Sequence, residues 1–97
     1  MTPQEIKEEL LKHINDGINI RSSIFPKYYD DAEIDMSYTS KDATDFMKKK
    51  AIMDSLTKML VDNGYKIKMS SIDISVNSYY QSVMLEKKGE RENETNI

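Results

Sequence analysis

The chain is expected to fold as a small single α+β domain in the order αββαββ, an antiparallel sheet with two helices covering one face. Two kinds of pattern carry that expectation. Apolar residues recur at helical spacing over residues 2–16 and 39–64, and each stretch is bracketed by capping and stop residues. The stretches 18–24, 34–38, 65–76 and 79–85 instead alternate apolar and polar residues with period two. The domain is expected to span residues 1–88. The last nine residues, Gly-Glu-Arg-Glu-Asn-Glu-Thr-Asn-Ile (89–97), are polar and read as a disordered tail.

The first helix opens on Thr2-Pro3-Gln4-Glu5, a capping box with proline at the first helical position. Ile6, Leu10 and Ile14 recur every fourth residue, with Leu11 beside them, so one face is apolar. Glu8 and Lys12 are placed to pair, and Asp16-Gly17 is expected to end the helix, glycine suiting the left-handed position past the last turn.

Ile18, Ile20 and Ile24 then predict a strand. Phe25 to Asp31 reads as a connection, because Pro26 cannot donate to a ladder. Ile34, Met36 and Tyr38 alternate against Glu33, Asp35 and Ser37, the pattern of a strand with one wet face.

The longest helix is expected to start at a Thr39 or Ser40 cap, with Asp42 and Asp45 near its positive end. It runs to Asn63-Gly64, a Schellman-type stop in which Tyr65 would fold back on Leu60. Phe46, Met53, Leu56 and Leu60 make the core stripe, flanked by Ile52 and Met59. Lys49 falls in that seam where an apolar residue is expected. Its stem is predicted to lie along the core edge while its ammonium reaches water or Asp45.

Tyr65, Ile67 and Met69 alternate, and Ile72, Ile74 and Val76 alternate in the opposite phase. A bulge or bend at Ser70-Ser71 would absorb the slip. Asn77-Ser78 is then expected to turn the chain, so that Tyr79, Gln81 and Val83 return opposite Val76, Ile74 and Ile72. A third helix over 78–88 is the rival, but Tyr and Val suit a pleated surface better.

Composition bounds the function. The 97 residues include no cysteine and one histidine, which removes disulfides, Fe–S clusters and the usual zinc sites. The opening Met-Thr-Pro-Gln-Glu lacks the basic-then-apolar pattern of a signal peptide, and no apolar run approaches the ~18 residues that cross a bilayer. The expectation is therefore a soluble cytoplasmic protein without membrane contact. Net charge is −3, distributed as −5 over residues 1–45, +4 over 46–88 and −2 over the tail. Such polarity gives the two halves different partners to attract. Twelve lysines against two arginines, with eleven isoleucines, is a mix common in low-GC bacteria and their phages.

Few motifs carry chemistry. None of the ten serines sits in Gly-x-Ser-x-Gly, and glycines only at 17, 64 and 89 leave no phosphate-cradling loop. His13 has no second histidine to pair with over a metal. Asp31, Glu33 and Asp35 share one strand face and form a weak candidate for a Mg²⁺ site, against a plain solvated face that discourages edge pairing. Lys48, Lys49, Lys50, Lys58, Lys66 and Lys68 form a basic middle that would track phosphates if it made one patch. Against that, Lys48 and Lys50 diverge around their helix, and arginine is nearly absent. Tyr28-Tyr29 and Tyr79-Tyr80 are adjacent pairs, so on extended chain one of each pair faces away from the core. Tyr28, Tyr29, Tyr79, Tyr80 and Met84 are the expected partner-binding residues.

The expected function is thus a non-enzymatic macromolecule-binding protein without a cofactor. Its size and composition suit an accessory protein of a phage or mobile element, inhibiting or modulating a host protein by occupying its surface. A nucleic-acid-binding regulator using Lys48 to Lys68 is the alternative, and a metal-dependent phosphoryl-transfer enzyme a more distant one. A sheet face left uncovered also makes a homodimer reasonable.

Overall fold

Thr2 does what its sequence context demands. Its hydroxyl accepts from the Glu5 amide at 3.1 Å while the Glu5 carboxylate accepts from the Thr2 amide at 2.9 Å. The reciprocal bonds hold the Glu5 carboxyl below its ordinary pKa, the Thr2 amide first among the causes. From there the computed structural model, which describes residues 1–24 and 32–88 (Ser23 and Ile24 by backbone alone), runs through helix α1 (Pro3–Leu11), a 3₁₀ turn (Ile14–Asp16) and strand β1 (Asn19–Ile24). Strand β2 (Ala32–Ser40), helix α2 (Ala43–Asp62) and the hairpin β3 (Lys66–Ser75) and β4 (Ser78–Lys87) complete it. The expected αββαββ order and antiparallel sheet are present, and 78–87 is strand, not helix. The segment 25–31 and the tail 89–97 lie outside the described residues.

The strand order is β1-β2-β4-β3, each neighbour antiparallel. β4 thus inserts between β2 and β3, which run parallel to each other without pairing. Both helices lie on one side. Ile6 and Leu10 of α1 and Met53, Leu56 and Leu60 of α2 close over Ile18, Ile34, Met36, Tyr38, Val83 and Leu85. Phe46, Ile52 and Met59 pack at the rim of that core, as their place on the seam predicts.

The end of α2 is the Schellman motif read from Asn63-Gly64. The Tyr65 amide donates to the Leu60 carbonyl and the Gly64 amide to that of Val61, at 3.0 and 3.1 Å. Gly64 takes φ +94°, and Leu60 and Tyr65 are both buried. At the start of α2, Asp42 is the cap and accepts from the Asp45 amide at 2.8 Å. The expected caps are otherwise used: Thr39 and Ser40 are still in β2, and the Ser40 hydroxyl bonds the Asp45 carboxylate.

Other expectations are corrected. The α-helix ends at Leu11, and Asp16-Gly17 instead stops the 3₁₀ turn that follows. The tighter turn swings Ile14 out of line with Ile6 and Leu10, leaving it 47% exposed. Lys12 becomes the C-cap and pairs with Glu9 at 2.9 Å, not with Glu8. In β3 the irregularity falls between Ile67 and Met69, so Lys68 is the extra residue and Ser70-Ser71 are regularly paired. Either position repairs the phase slip. The one adopted sets Met69 opposite Met84 and lets Lys68 reach Glu33 and Glu86 at 3.5 and 3.9 Å. The hairpin corner is Val76-Asn77, with Asn77 at φ +61°, one residue earlier than expected. Tyr79, Gln81 and Val83 consequently return opposite Ile74, Ile72 and Ser70. A two-residue slide preserves which face each side chain takes.

Candidate functional site: the uncovered face of the sheet

The face of the sheet away from the helices is built by register. Residues directly opposite on antiparallel strands point to the same side, so each pairing assigns a column. Arg21 of β1 stands opposite Asp35 of β2, Asp35 opposite Met84 of β4, and Met84 opposite Met69 of β3. The next column is Asn19, Ser37, Ser82 and Ser71. Beyond it Thr39, Tyr80 and Asp73 line up. Ser71 and Ser82 share a hydrogen bond between their hydroxyls at 3.0 Å.

At the centre lies a shallow concavity of about 330 Å³, with Met69, Met84 and Tyr80 on one flank and Arg21 and Asp35 on the other. Its floor is small and polar, so the sulfur-bearing and aromatic side chains stand above it. One carboxylate oxygen of Asp35 is buried and accepts no hydrogen bond among the described residues.

The two tyrosines of β4 part company, as alternation requires. Tyr80 joins the uncovered face. Tyr79 turns to the helix side and stacks on Phe46, ring centroids 4.7 Å apart, and Phe46 in turn meets Tyr38 at 6.2 Å. Tyr79 therefore serves the packing between α2 and β4. Met84 stands on the uncovered face with Tyr80, while Tyr28 and Tyr29 lie outside the described residues.

The six lysines of the basic middle are not brought together. Lys48, Lys49, Lys50 and Lys58 belong to α2, on the far side of the sheet from Lys68. Lys50 pairs with Asp54 at 2.6 Å and Lys58 with Asp62 at 2.8 Å. Lys66 and Lys68 sit at the start of β3, where Glu86 and Glu33 offset them. Lys49 behaves as its seam position predicts. Its side chain is 18% exposed, its stem crosses Gly17, and its ammonium donates to the Thr39 carbonyl at 3.1 Å and pairs with Asp45 at 2.9 Å. The Ser40 hydroxyl, followed by Lys49, holds the Asp45 carboxyl below its usual value.

Of the three carboxylates weighed as a metal site, Asp31 lies outside the described residues. Glu33 engages Lys68, and Asp35 is cross-strand from Arg21. Among the described residues no three metal-binding side chains converge. His13 is held by Asp16 at 3.0 Å. Sequence reasoning missed Met69, Arg21 and Asn19 as parts of the concavity. Arg21 and Asn19 carried the right signal, since both alternate out of phase with Ile18 and Ile20. Met69 did not, because its face depends on where the bulge falls. Among the described residues no helix is long and apolar enough to cross a membrane. Comparison with protein families, curated proteins and solved structures found no match for this chain.

Proposed function

We propose that this chain is a non-enzymatic binding module of the cytoplasm that docks a protein partner on the uncovered face of its sheet. The observation that carries the reading is the concavity bounded by Tyr80, Met84, Met69, Arg21 and Asp35. Aromatic, methionine and arginine side chains around a small polar floor are the composition of an interface centre. Arg21 and Asp35, opposite each other on β1 and β2, supply the polar specificity at its edge. Binding of this kind needs shape and an anchor, with no bond made or broken at the module's own side chains. The lysine-rich, isoleucine-rich composition fits an accessory protein of a phage or mobile element that modulates a host protein by covering its surface.

The test is affinity capture from a bacterial host lysate, with and without nuclease, followed by titration of the purified captured protein. Tyr80→Ala and Met84→Ala are expected to weaken that binding by tenfold or more, while Lys48→Ala changes it little. Capture that disappears on nuclease treatment would favour the nucleic-acid alternative. Turnover of a substrate by pure protein, abolished by Asp35→Asn, would refute the binding-module reading.

A further inference from the structure

Strand β3 is exposed along its whole length. All ten of its residues are open to solvent, with Ile67 at 51%, Met69 at 58% and Ile74 at 64%. The helix layer stops short of it: α2 closes over β2 and β4, and no strand lies beyond β3 among the described residues. A long edge strand with uncovered isoleucines and a free row of backbone donors and acceptors is a template for another strand.

Reversed on itself, β3 keeps every residue on its own face of the sheet, and Ile67 meets Ile74. With Lys68 set aside as the bulged residue, nine ladder positions remain, and the middle one is Ser71. We propose that the chain forms a homodimer by antiparallel pairing of β3 with β3 of a second copy, the twofold axis passing through Ser71. Around that axis Ile67 falls opposite the second copy's Ile74, and both point to the helix side, since their partners in β4 are Leu85 and Tyr79. Lys68 and Met69 fall opposite Asp73 on the uncovered face. Asp73 makes no ion pair or side-chain hydrogen bond among the described residues. The cation nearest to it across the axis is the second copy's Lys68, which would share its ammonium between Asp73 and its own long contacts to Glu33 and Glu86 at 3.5 and 3.9 Å, twice by symmetry. Lysines and a bulge usually protect an edge. Here the two bulges lie on opposite sides of the axis, each facing the Asp73–Ile74 step of the other copy, which brings the bulged lysine to a carboxylate. An axis at Asp73 would oppose like charges, and axes at other positions leave part of the strand unpaired. The product is a continuous sheet of eight strands with all helices on one side.

The chain has no cysteine, which makes the axis directly testable. Opposite Cα atoms in an antiparallel pair are about 4.5–5.5 Å apart, within disulfide reach. Under mild oxidation at micromolar concentration, full-length Ser71→Cys is expected to give a covalent dimer at least tenfold faster than Ser75→Cys, whose counterpart across the axis is Lys66. Wild-type protein is expected to sediment as a dimer. Asp73→Lys is expected to weaken the dimer at least tenfold with an unchanged circular dichroism spectrum. A wild-type protein that stays monomeric, or a dimer in which Ser71→Cys links no faster than Ser75→Cys, overturns the proposal. The first outcome would leave the edge to another segment of the chain, and the second would place the contact elsewhere.

Discussion

Tyr38 and Gln81 stand directly opposite on β2 and β4, and the buried phenol donates to the glutamine oxygen at 2.6 Å. The Gln81 amide passes the chain on to Asp54 at 3.4 Å, and Asp54 pairs with Lys50. A polar link thus runs from the middle of the sheet through the core to the surface of α2. Burial, with Asp54 adding to it, pushes the Tyr38 hydroxyl up to about 12. In the unfolded chain that phenol ionises near ~10. Between those values the unfolded state releases a proton that the folded state keeps, so stability falls as pH rises through the window and is unaffected by this group below it. Tyr38→Phe is expected to cost ~1–2 kcal/mol at neutral pH, because the Gln81 oxygen loses its donor in a buried place. The same variant should show a shallower decline than wild type between pH 10 and 12, the remainder belonging to groups such as Lys12 and Lys58, which Glu9 and Asp62 hold above their ordinary values. Urea titrations at a series of pH values measure both effects, and an unchanged alkaline slope would show that another group titrates there.

Gly17 occupies φ +87° and ends the 3₁₀ turn directly beneath the Lys49 stem. A methyl group there would meet Lys49 Cε at 2.8 Å, yet that atom is the far end of a flexible chain and can move. The backbone conformation sets the cost. Gly17→Ala is expected to destabilise by ~1–2 kcal/mol, with nearly the same loss in a Lys49→Ala background. A double-mutant cycle with a coupling above ~0.5 kcal/mol would instead assign the cost to the collision.

Asn77 turns the β3–β4 hairpin at φ +61°, a region asparagine tolerates better than most residues. Asn77→Gly should leave the thermal midpoint within about 2 °C of wild type, and Asn77→Val should lower it by several degrees, ~1 kcal/mol or more in a domain of this size. Equal effects from both would mean that the asparagine side chain, not its backbone, makes the corner.

What could be read from sequence was what the chain settles locally. The Thr2 capping box and the Asn63-Gly64 stop each involve residues within six positions of one another, and both formed as read. The apolar stripe of α2 and the wet face of β2 follow from periodicity alone. Placement that depends on a distant partner was less visible. Ile14 matches the helical period of Ile6 and Leu10, but the helix ends before reaching it. The phase slip in β3 shows that one residue is extra without saying which, and Glu33 and Glu86, remote in sequence, hold Lys68 at that point. Gln81 sits in an apolar phase and gives no sign of Tyr38, forty-three residues away. The concavity on the uncovered face was half visible for the same reason: Tyr80 and Met84 follow from alternation in β4, whereas Met69 waits on the bulge.

Tyr79 and Tyr80 are neighbours in sequence with opposite duties, and truncating each should separate them. Tyr79 is stacked on Phe46 at an interplanar angle of 19° and closes the first turn of α2 against β4. Tyr79→Ala removes an aromatic pair and the apolar area beneath it, a loss of ~2–3 kcal/mol. Tyr80 is half-buried on the face no helix covers, without an aromatic partner, so Tyr80→Ala should cost less, ~1–2 kcal/mol, through lost contact area and weaker strand preference. Calorimetry on the two variants would show the difference as a larger drop in melting temperature for Tyr79→Ala. Binding should rank them the other way, with Tyr80→Ala weakening partner affinity while Tyr79→Ala, measured well below its melting point, retains it. If Tyr80→Ala instead unfolds the domain as readily as Tyr79→Ala, the tyrosine is holding the sheet together, and the docking centre must shift toward Arg21 and Asp35.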